Sequence, residues 1–422
     1  MKRFIFFSSL IIVACVQKPK SIHQVESEKH HLDKNVNLTE IRLGLDILLD
    51  ERLDLIRNKS IALVTNHSGL DKYGVPNYKR LMNVKNVKLK IIFSPEHGLF
   101  GEATAGEKVN YDGQINTLPP VLSLYGENRK PNKEQLKDVD VIIYDIQDIG
   151  ARFYTYITTL GLVMEASIEE GIQIIVLDRP NPITGVKIEG PILDLEFQSF
   201  VGYYPIPIRY GLTIGELAKM ISGEKWISGS PDLIIIPMKN WQRNHWMDEI
   251  NTYWVNPSPN IPDLETAILY PGMCLLEATN INEGRGTTKP FKRFGAPWIN
   301  KQKLAMELNN LNLPGVVFKP VSYIPIEIKG MATDPKYENQ VCHGIDILLT
   351  NRNSYNSVDT AIKIISLISK QYPNTLEIKT LGMNRLWGNN MRITSLNLDR
   401  SFDKQTLLKN FNDLSKKYYL YD

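Results

Sequence analysis

Four apolar, β-branched runs in the first half of this sequence each end in polar residues equipped for chemistry. Ile61-Ala-Leu-Val64 leads into Thr65-Asn66-His67-Ser68-Gly69, and Leu89-Lys-Ile-Ile-Phe93 into Ser94-Pro95-Glu96-His97-Gly98. Val139-Asp-Val-Ile-Ile-Tyr144 ends in Asp145-Ile146-Gln147-Asp148-Ile149-Gly150-Ala151-Arg152, followed by Phe153-Tyr154-Thr155-Tyr156. Ile172-Gln-Ile-Ile-Val-Leu177 ends in Asp178-Arg179-Pro180-Asn181-Pro182. Turns after strands favour Asn, Asp, Gly and Pro in any protein, so one such cluster means little. Four in succession describe a polar cleft.

The chemistry is narrowed first by what is missing. No GxGxxG follows the first run and no GxxxxGK[ST] occurs, which disfavours dinucleotide and P-loop chemistry. The GxSxG elbow of serine hydrolases is absent too. What remains is carboxyls beside aromatics, histidines and arginines, a set suited to glycosidic cleavage. There a carboxylic acid protonates the leaving oxygen while a second group acts at the anomeric carbon or on its water. Glu96, fixed between Pro95 and His97-Gly98, is the first choice for the acid. Asp145 and Asp148 offer the second carboxyl, although Asp148 equally suits the cap of a following helix. His67 and His97 serve as substrate hydrogen-bonders, as a base, or as loop braces. Arg152 and Arg179 supply forks for a substrate carboxylate or pair with the aspartates, Arg209 is a further candidate for that carboxylate, and Arg285, between two glycines, either approaches a ligand closely or sits in an ordinary turn. Tyr154 and Tyr156 offer faces for a sugar ring. Two alternatives stand beside this: a metal-dependent hydrolase using His67, His97, Asp145 and Asp148, and a non-catalytic sugar-binding protein. Against the first, no two of those ligands have the helical spacing of HExxH.

These residues require a scaffold of strands alternating with helices, which implies a parallel sheet covered on both faces. In such sheets ligands bind beyond the carboxyl ends of the strands. Helices are expected at Thr158 to Glu170 and Thr213 to Ser222, the latter opened by a Thr213/Glu216 capping box. Leu233 to Ile236 adds a further strand. Residues 256–298, rich in Pro, Gly and Asn, read as a long ordered connection carrying function. Helices near 301–311, 357–371 and 402–417 and strands near 316–318 and 345–349 complete the chain. The expected fold is α/β: a Rossmann-like parallel-sheet domain at 41–254, then a smaller α/β domain at 255–422 that completes the cleft.

Composition agrees with a globular chain too long for one core: 422 residues, 43% hydrophobic and 23% charged. A net charge of +3 without a Lys/Arg block gives no sign of nucleic-acid binding. The start differs in character. Lys2 and Arg3 precede the apolar run Phe4 to Val13, which is too short to span a bilayer, and Ile12-Val13-Ala14-Cys15 closes it. This resembles a bacterial lipoprotein signal over residues 1–15, with Cys15 lipidated. Residues 16–40, containing His23, His30 and His31, then read as a flexible tether. The expectation is an exported protein held at a bacterial membrane by its lipid anchor alone. Cys274 and Cys342 read as small buried apolar residues.

From about residue 41 to the C-terminus the motifs resemble the peptidoglycan exo-β-N-acetylmuramidase family of the NamZ type. The resemblance rests on Asn66-His67-Ser68-Gly69, the run Ser94 to Gly101, Asp145-x-Gln-Asp-x-Gly-x-Arg-x-Tyr-x-Tyr, Asp178-Arg-Pro-Asn-Pro182, and Pro207-x-Arg-Tyr-Gly-x-Thr-x-Gly-Glu-Leu-Ala218. It continues in Ser258-Pro-Asn-Ile-Pro262, Tyr270-Pro-Gly272, and Glu277 to Trp298 with Gly284-Arg285-Gly286-Thr287. It implies release of a non-reducing terminal N-acetylmuramic acid β-linked to N-acetylglucosamine, from peptidoglycan fragments, without a cofactor. The catalytic candidates are then Glu96, His97, Asp145, Asp148 and His67. The substrate-binding candidates are Asn66, Gln147, Arg152, Tyr154, Tyr156, Arg179, Asn181, Arg209, Asn260, Glu277, Asn280 and Arg285.

Overall fold

The four apolar runs become four parallel strands: β1 (Ser60–Thr65), β2 (Lys88–Ser94), β4 (Val141–Asp145) and β5 (Gln173–Leu177). They belong to a computed structural model that describes residues 39–101, 103, 107, 117–390 and 404–422. Cys15 and the expected tether as far as residue 38 lie outside the described residues, as does the expected start of the last helix at Phe402. The sheet gains a short edge strand, β3 (Val121–Ser123), and at the other edge β8 (Leu233–Ile236), giving the order β3-β2-β1-β4-β5-β8. All its pairs are parallel. The chain runs outward from β1 to β3 and then returns to β4, so the order reverses between β1 and β4. Such a switch point opens a crevice at the carboxyl ends of the two strands.

Both faces of the sheet are buried, which explains why these strands are continuously apolar rather than alternating. Val64, Phe93, Ile142 and Val176 enter one core, while Leu63, Ile92, Ile143 and Ile175 enter the other. Helices α1 (Gly44–Glu51), α2 (Asn77–Met82), α3 (Tyr156–Glu170) and α4 (Ile214–Gly223) accompany this sheet. The α4 capping box forms as its spacing predicts, with Thr213 Oγ1 accepting from the Glu216 amide and Glu216 from the Thr213 amide. A two-stranded ribbon, β6 (Glu189–Ile192) with β7 (Pro207–Arg209), lies apart from the main sheet.

The second half departs from expectation in α8 (Thr380–Trp387), which was not foreseen, and in the stretch before residue 298. Residues 256–298, read as a connection, contain a helix, α5 (Leu264–Met273), and a strand, β9 (Arg293–Ala296). Pro271 disguised the helix, since proline removes a helical donor. It falls in the last turn of α5, which forgoes the one i→i−4 bond that residue 271 would otherwise donate. Gly272 beside it is needed for contact: a Cβ there would sit 2.0 Å from the Ser357 carbonyl at the start of α7 (Ser357–Gln371). The smaller sheet, β10 (Val316–Tyr323), β11 (Cys342–Leu349) and β9 in that spatial order, is antiparallel. With it go α6 (Lys301–Asn310), α8 (Thr380–Trp387) and α9 (Lys404–Ser415). The described residues from 39 onward belong to one compact unit.

Candidate active site

Glu96 sits two residues beyond the end of β2, and the turn that carries it is bent sharply. His97 adopts a left-handed backbone, φ 71°, and Gly98 another, φ 74°. A histidine there is uncommon and is held by its surroundings. Its Nδ1 lies 2.8 Å from the Ala103 carbonyl. The Glu96 carboxylate is gripped from two sides. Thr155 Oγ1 donates to Oε2 at 2.7 Å, and the Tyr125 hydroxyl donates to the same carboxylate. Burial together with Glu96 pushes that hydroxyl up to about 12, so it remains a donor throughout the physiological range.

Glu96 and His97 line a cavity of about 130 Å³ whose other walls come from both halves of the chain. Phe153, Tyr154, Tyr270 and Phe291 make those walls aromatic, and Tyr270 meets Phe291 edge-on with ring centroids 4.8 Å apart. Glu277 and Arg285 also line the cavity. Arg285 donates to Glu277 Oε1 from Nη2 at 2.7 Å and from Nε at 3.2 Å, and its Nε lies 3.5 Å from Glu283. Burial works against the guanidinium charge, but Glu277 and Glu283 outweigh it and hold the group protonated. The glycines flanking Arg285 are required sterically. A Cβ on Gly284 would approach the Lys289 carbonyl to 2.5 Å, and one on Gly286 the Ile326 carbonyl to 2.7 Å.

A layer behind these walls fixes them. Tyr156 donates to the Pro257 carbonyl and accepts from Asn66 Nδ2, both at 2.8 Å. His67 Nε2 is 2.7 Å from the Asn256 carbonyl. These bonds join the loop after β1 to the start of the second half. Burial lowers both His67 and His97 below the usual imidazole value, which favours neutral rings.

Other expected residues are placed elsewhere. Asp145 is buried against Arg179, which donates at 2.5 and 2.9 Å, and Asn77 adds a third bond. Asp148 accepts from the Gly150 amide and the Tyr210 hydroxyl, and burial raises it to about 6. It does not cap α3, whose N-cap position is Thr155. Arg152 is fully buried, and its two terminal nitrogens donate to the carbonyls of Pro191, Ile206, Leu386 and Trp387. Arg209 is likewise buried, against Glu189 and the Ile183 carbonyl. Both arginines are structural pins rather than cavity walls, because burial has already matched their forks to backbone or carboxylate. Gln147 joins the Asp148 and Pro180 carbonyls, and Asn181 the Leu212 carbonyl. Asn260 bonds the Met331 carbonyl and Asn280 the Thr375 carbonyl. The four residues weighed as a metal set are thus divided among separate bonding networks. Among the described residues no group of three or more His, Cys, Asp or Glu is placed to hold a metal ion.

Several residues of the site gave no warning in the sequence. Thr155 sits in a quoted motif, and a threonine at a helix start ordinarily caps it; here its hydroxyl goes to Glu96 instead. Lys336 reaches the carbonyls of Leu276, Glu277 and Ile281 and the Glu283 carboxylate at 2.9 to 3.2 Å, bracing the Glu277–Arg285 wall. Cys274, buried as expected, also lines the cavity.

Comparison with known proteins bears on the same regions. The model of a family described as exo-beta-N-acetylmuramidase NamZ, N-terminal, matches residues 61–265, and its C-terminal counterpart matches 268–421. Peptidoglycan beta-N-acetylmuramidase NamZ of Bacillus subtilis (strain 168) is 41% identical over 390 residues, covering 90% of this chain and 92% of that protein. Two crystal structures of DUF1343 family proteins from Bacteroides fragilis NCTC 9343 superpose with TM-scores of 0.81 and 0.71, at 34% and 31% identity. Each covers 90% of this chain and 99% of its own.

Proposed function

The chain belongs to the exo-β-N-acetylmuramidase family of the NamZ type, and on that premise we propose that it is a glycoside hydrolase releasing terminal N-acetylmuramic acid from peptidoglycan fragments. The observation that carries this reading is a small aromatic-walled cavity that, among the described residues, is lined by two carboxylates, Glu96 and Glu277, and a single arginine, Arg285. Aromatic walls suit the apolar faces of a sugar ring.

Glu96 is the acid. Thr155 and Tyr125 fix its carboxyl at the cavity edge, ready to protonate the leaving oxygen as the glycosidic bond breaks. Glu277, held by Arg285 at 2.7 Å, stabilises the positive charge that develops at the anomeric carbon, to which water then adds to complete the hydrolysis. Arg285 recognises the lactyl carboxylate that distinguishes muramic acid from glucosamine, since it is the one Arg or Lys lining the cavity among the described residues. Its Nη1 takes no part in the bonds to Glu277 and Glu283. Incubation with the disaccharide N-acetylmuramyl-β-1,4-N-acetylglucosamine tests the activity. Equimolar release of the two free sugars is expected, and an unchanged disaccharide overturns the reading.

The N-terminal sequence supports a cellular setting. The short apolar run ending in Cys15 is a lipoprotein signal, and the lipidated cysteine holds the enzyme at a bacterial membrane. There it takes part in the turnover and recycling of cell-wall fragments.

A further inference from the structure

The crevice at the switch point between β1 and β4 holds a second feature, a narrow slot of about 10 Å³. Ser68 lines it from the loop after β1, Gln147 from the loop after β4, Arg179 from the loop after β5, and Tyr253 from the start of the second half. One stretch of chain joins the slot to the cavity of Glu96: Val255 lines the first and Ser258 the second, at most about 10 Å apart for three residues. A slot of this size admits one small polar group and no ring. Arg179, only 4% exposed, bonds Asp145 and the Leu70 carbonyl through Nε and Nη2, so Nη1 is left with its donors for such a group. The one carboxylate in the lining, Asp71, is matched by Arg80, which donates to it at 2.6 Å.

Two exposed tyrosines stand at this slot. Tyr253 is 52% exposed and Tyr73 is 66% exposed. The turn that carries Tyr73 is seated on Tyr253, since a Cβ on Gly74 would meet the Tyr253 ring at 3.4 Å. That turn is rigid: Asp71 Oδ1 accepts from the Tyr73 and Val75 amides, and the Asp71 carbonyl accepts from the Gly74 amide. The Tyr253 segment is fixed as well, because the Asn256 and Pro257 carbonyls are held by His67 and Tyr156. Lys72 Nζ, 5.1 Å from the Tyr73 ring centre, adds a cation and leaves most of that ring in solvent. Aromatic rings exposed together on rigid supports are preorganised for a partner.

We propose that this face is a docking site, separate from the active cavity, for a peptidoglycan glycan strand carrying free lactyl carboxylates. A sugar ring lies on Tyr253 and Tyr73, and the carboxylate of a muramic acid residue enters the slot to meet Arg179. The inference rests on the reading of peptidoglycan fragments as the substrate. An anion that enters a slot closed to its own ring must arrive on an arm, and the lactyl ether is such an arm. The pyranose supplies the apolar face that a tyrosine ring accepts, and the guanidinium supplies charge-assisted donors.

The test uses insoluble glycan strands with free lactyl carboxylates whose non-reducing ends are N-acetylglucosamine, so that no terminal muramic acid is available to the active cavity. The double variant Tyr73→Ala/Tyr253→Ala should bind these strands about 10-fold more weakly, the scale of losing sugar-facing aromatics. Its turnover of the muramyl-glucosamine disaccharide should be unchanged. Methyl esterification of the strands removes the anion without altering the protein, and should weaken wild-type binding by about 10-fold. That measurement holds even if the double variant fails to fold. Unaltered binding by the folded double variant, or equal binding of esterified and free strands by wild type, overturns the docking site. Wild type that cleaves the disaccharide without binding the strands leaves the muramidase reading standing and overturns the docking site. Strand binding without cleavage removes the muramidase reading instead.

Discussion

Thr155 and Glu96 form one unit: the threonine at the start of α3 donates its hydroxyl, 2.7 Å away, to the carboxylate that follows β2. The 59-residue separation hides this pairing in the sequence, and the switch point of the sheet brings it about. Since Thr155 orients the acid rather than reacting, Thr155→Val should lower kcat by about 10-fold with little change in KM, and Thr155→Ser should restore it. An equal loss in both variants would mean that the hydroxyl does not position the acid.

The arginines separate into two kinds. Arg285→Lys should lower kcat/KM on muramic-acid substrates by at least about 10-fold, because an ammonium does not reproduce a planar fork. Arg152→Lys should instead lower the melting temperature. The four carbonyls that now receive its guanidinium would be left underbonded, and burial has already pulled that group down to about 9. Thermal unfolding alongside kinetics distinguishes the two. Normal kinetics in Arg285→Lys would move lactyl recognition elsewhere.

A buried carboxyl away from the cavity gives a pH prediction. Asp178 accepts from Gly215 N, Thr213 Oγ1 and the Tyr421 hydroxyl, and burial raises it to about 7 from an ordinary 3.8. The folded state therefore retains a proton that the unfolded chain releases. This contribution is present in full below about pH 3.8 and is lost as pH rises through about 7. Asp178→Asn removes the titration, so the melting temperature of wild type minus that of the variant should fall by at least ~2 °C between about pH 5 and pH 8. A constant difference would show that Asp178 does not titrate in this range.

The anchor is tested by Cys15→Ser in full-length protein expressed in a bacterium that processes lipoproteins. The variant should stay active but leave the membrane fraction, since one lipidated terminus is the proposed attachment. Continued sedimentation with membranes would point to another mode of association.

Much of this architecture was legible because burial on both faces writes itself as unbroken apolar runs. β1, β4 and β5 follow that rule most closely, β2 and the half-buried edge strand β8 less so, and the Thr213/Glu216 box marks α4. The weaker elements obey other rules. β3 has only three residues, β6 contains Pro191 and Gly190, and α5 carries Pro271, so local pattern argues against each while tertiary contact forms them. The candidate site was legible to the level of loops but not of roles. Glu96, His97, Tyr154, Glu277 and Arg285 meet at one cavity. Arg152 and Arg209 come from equally promising motifs yet turn inward, because a buried arginine held by carbonyls leaves no distinguishing mark in sequence. Tyr125 was invisible for the opposite reason: nothing in its own segment points to Glu96.

The central claim is that Glu96 delivers the proton. Glu96→Gln keeps the shape and its capacity to accept from Thr155 but has no proton to transfer. Steady-state turnover of the muramyl-glucosamine disaccharide by this variant is the most direct measurement. The account predicts kcat reduced at least ~100-fold with substrate binding nearly intact, the scale of a lost general acid. Turnover within a few-fold of wild type would contradict it, and the acid would then have to be sought in Glu277.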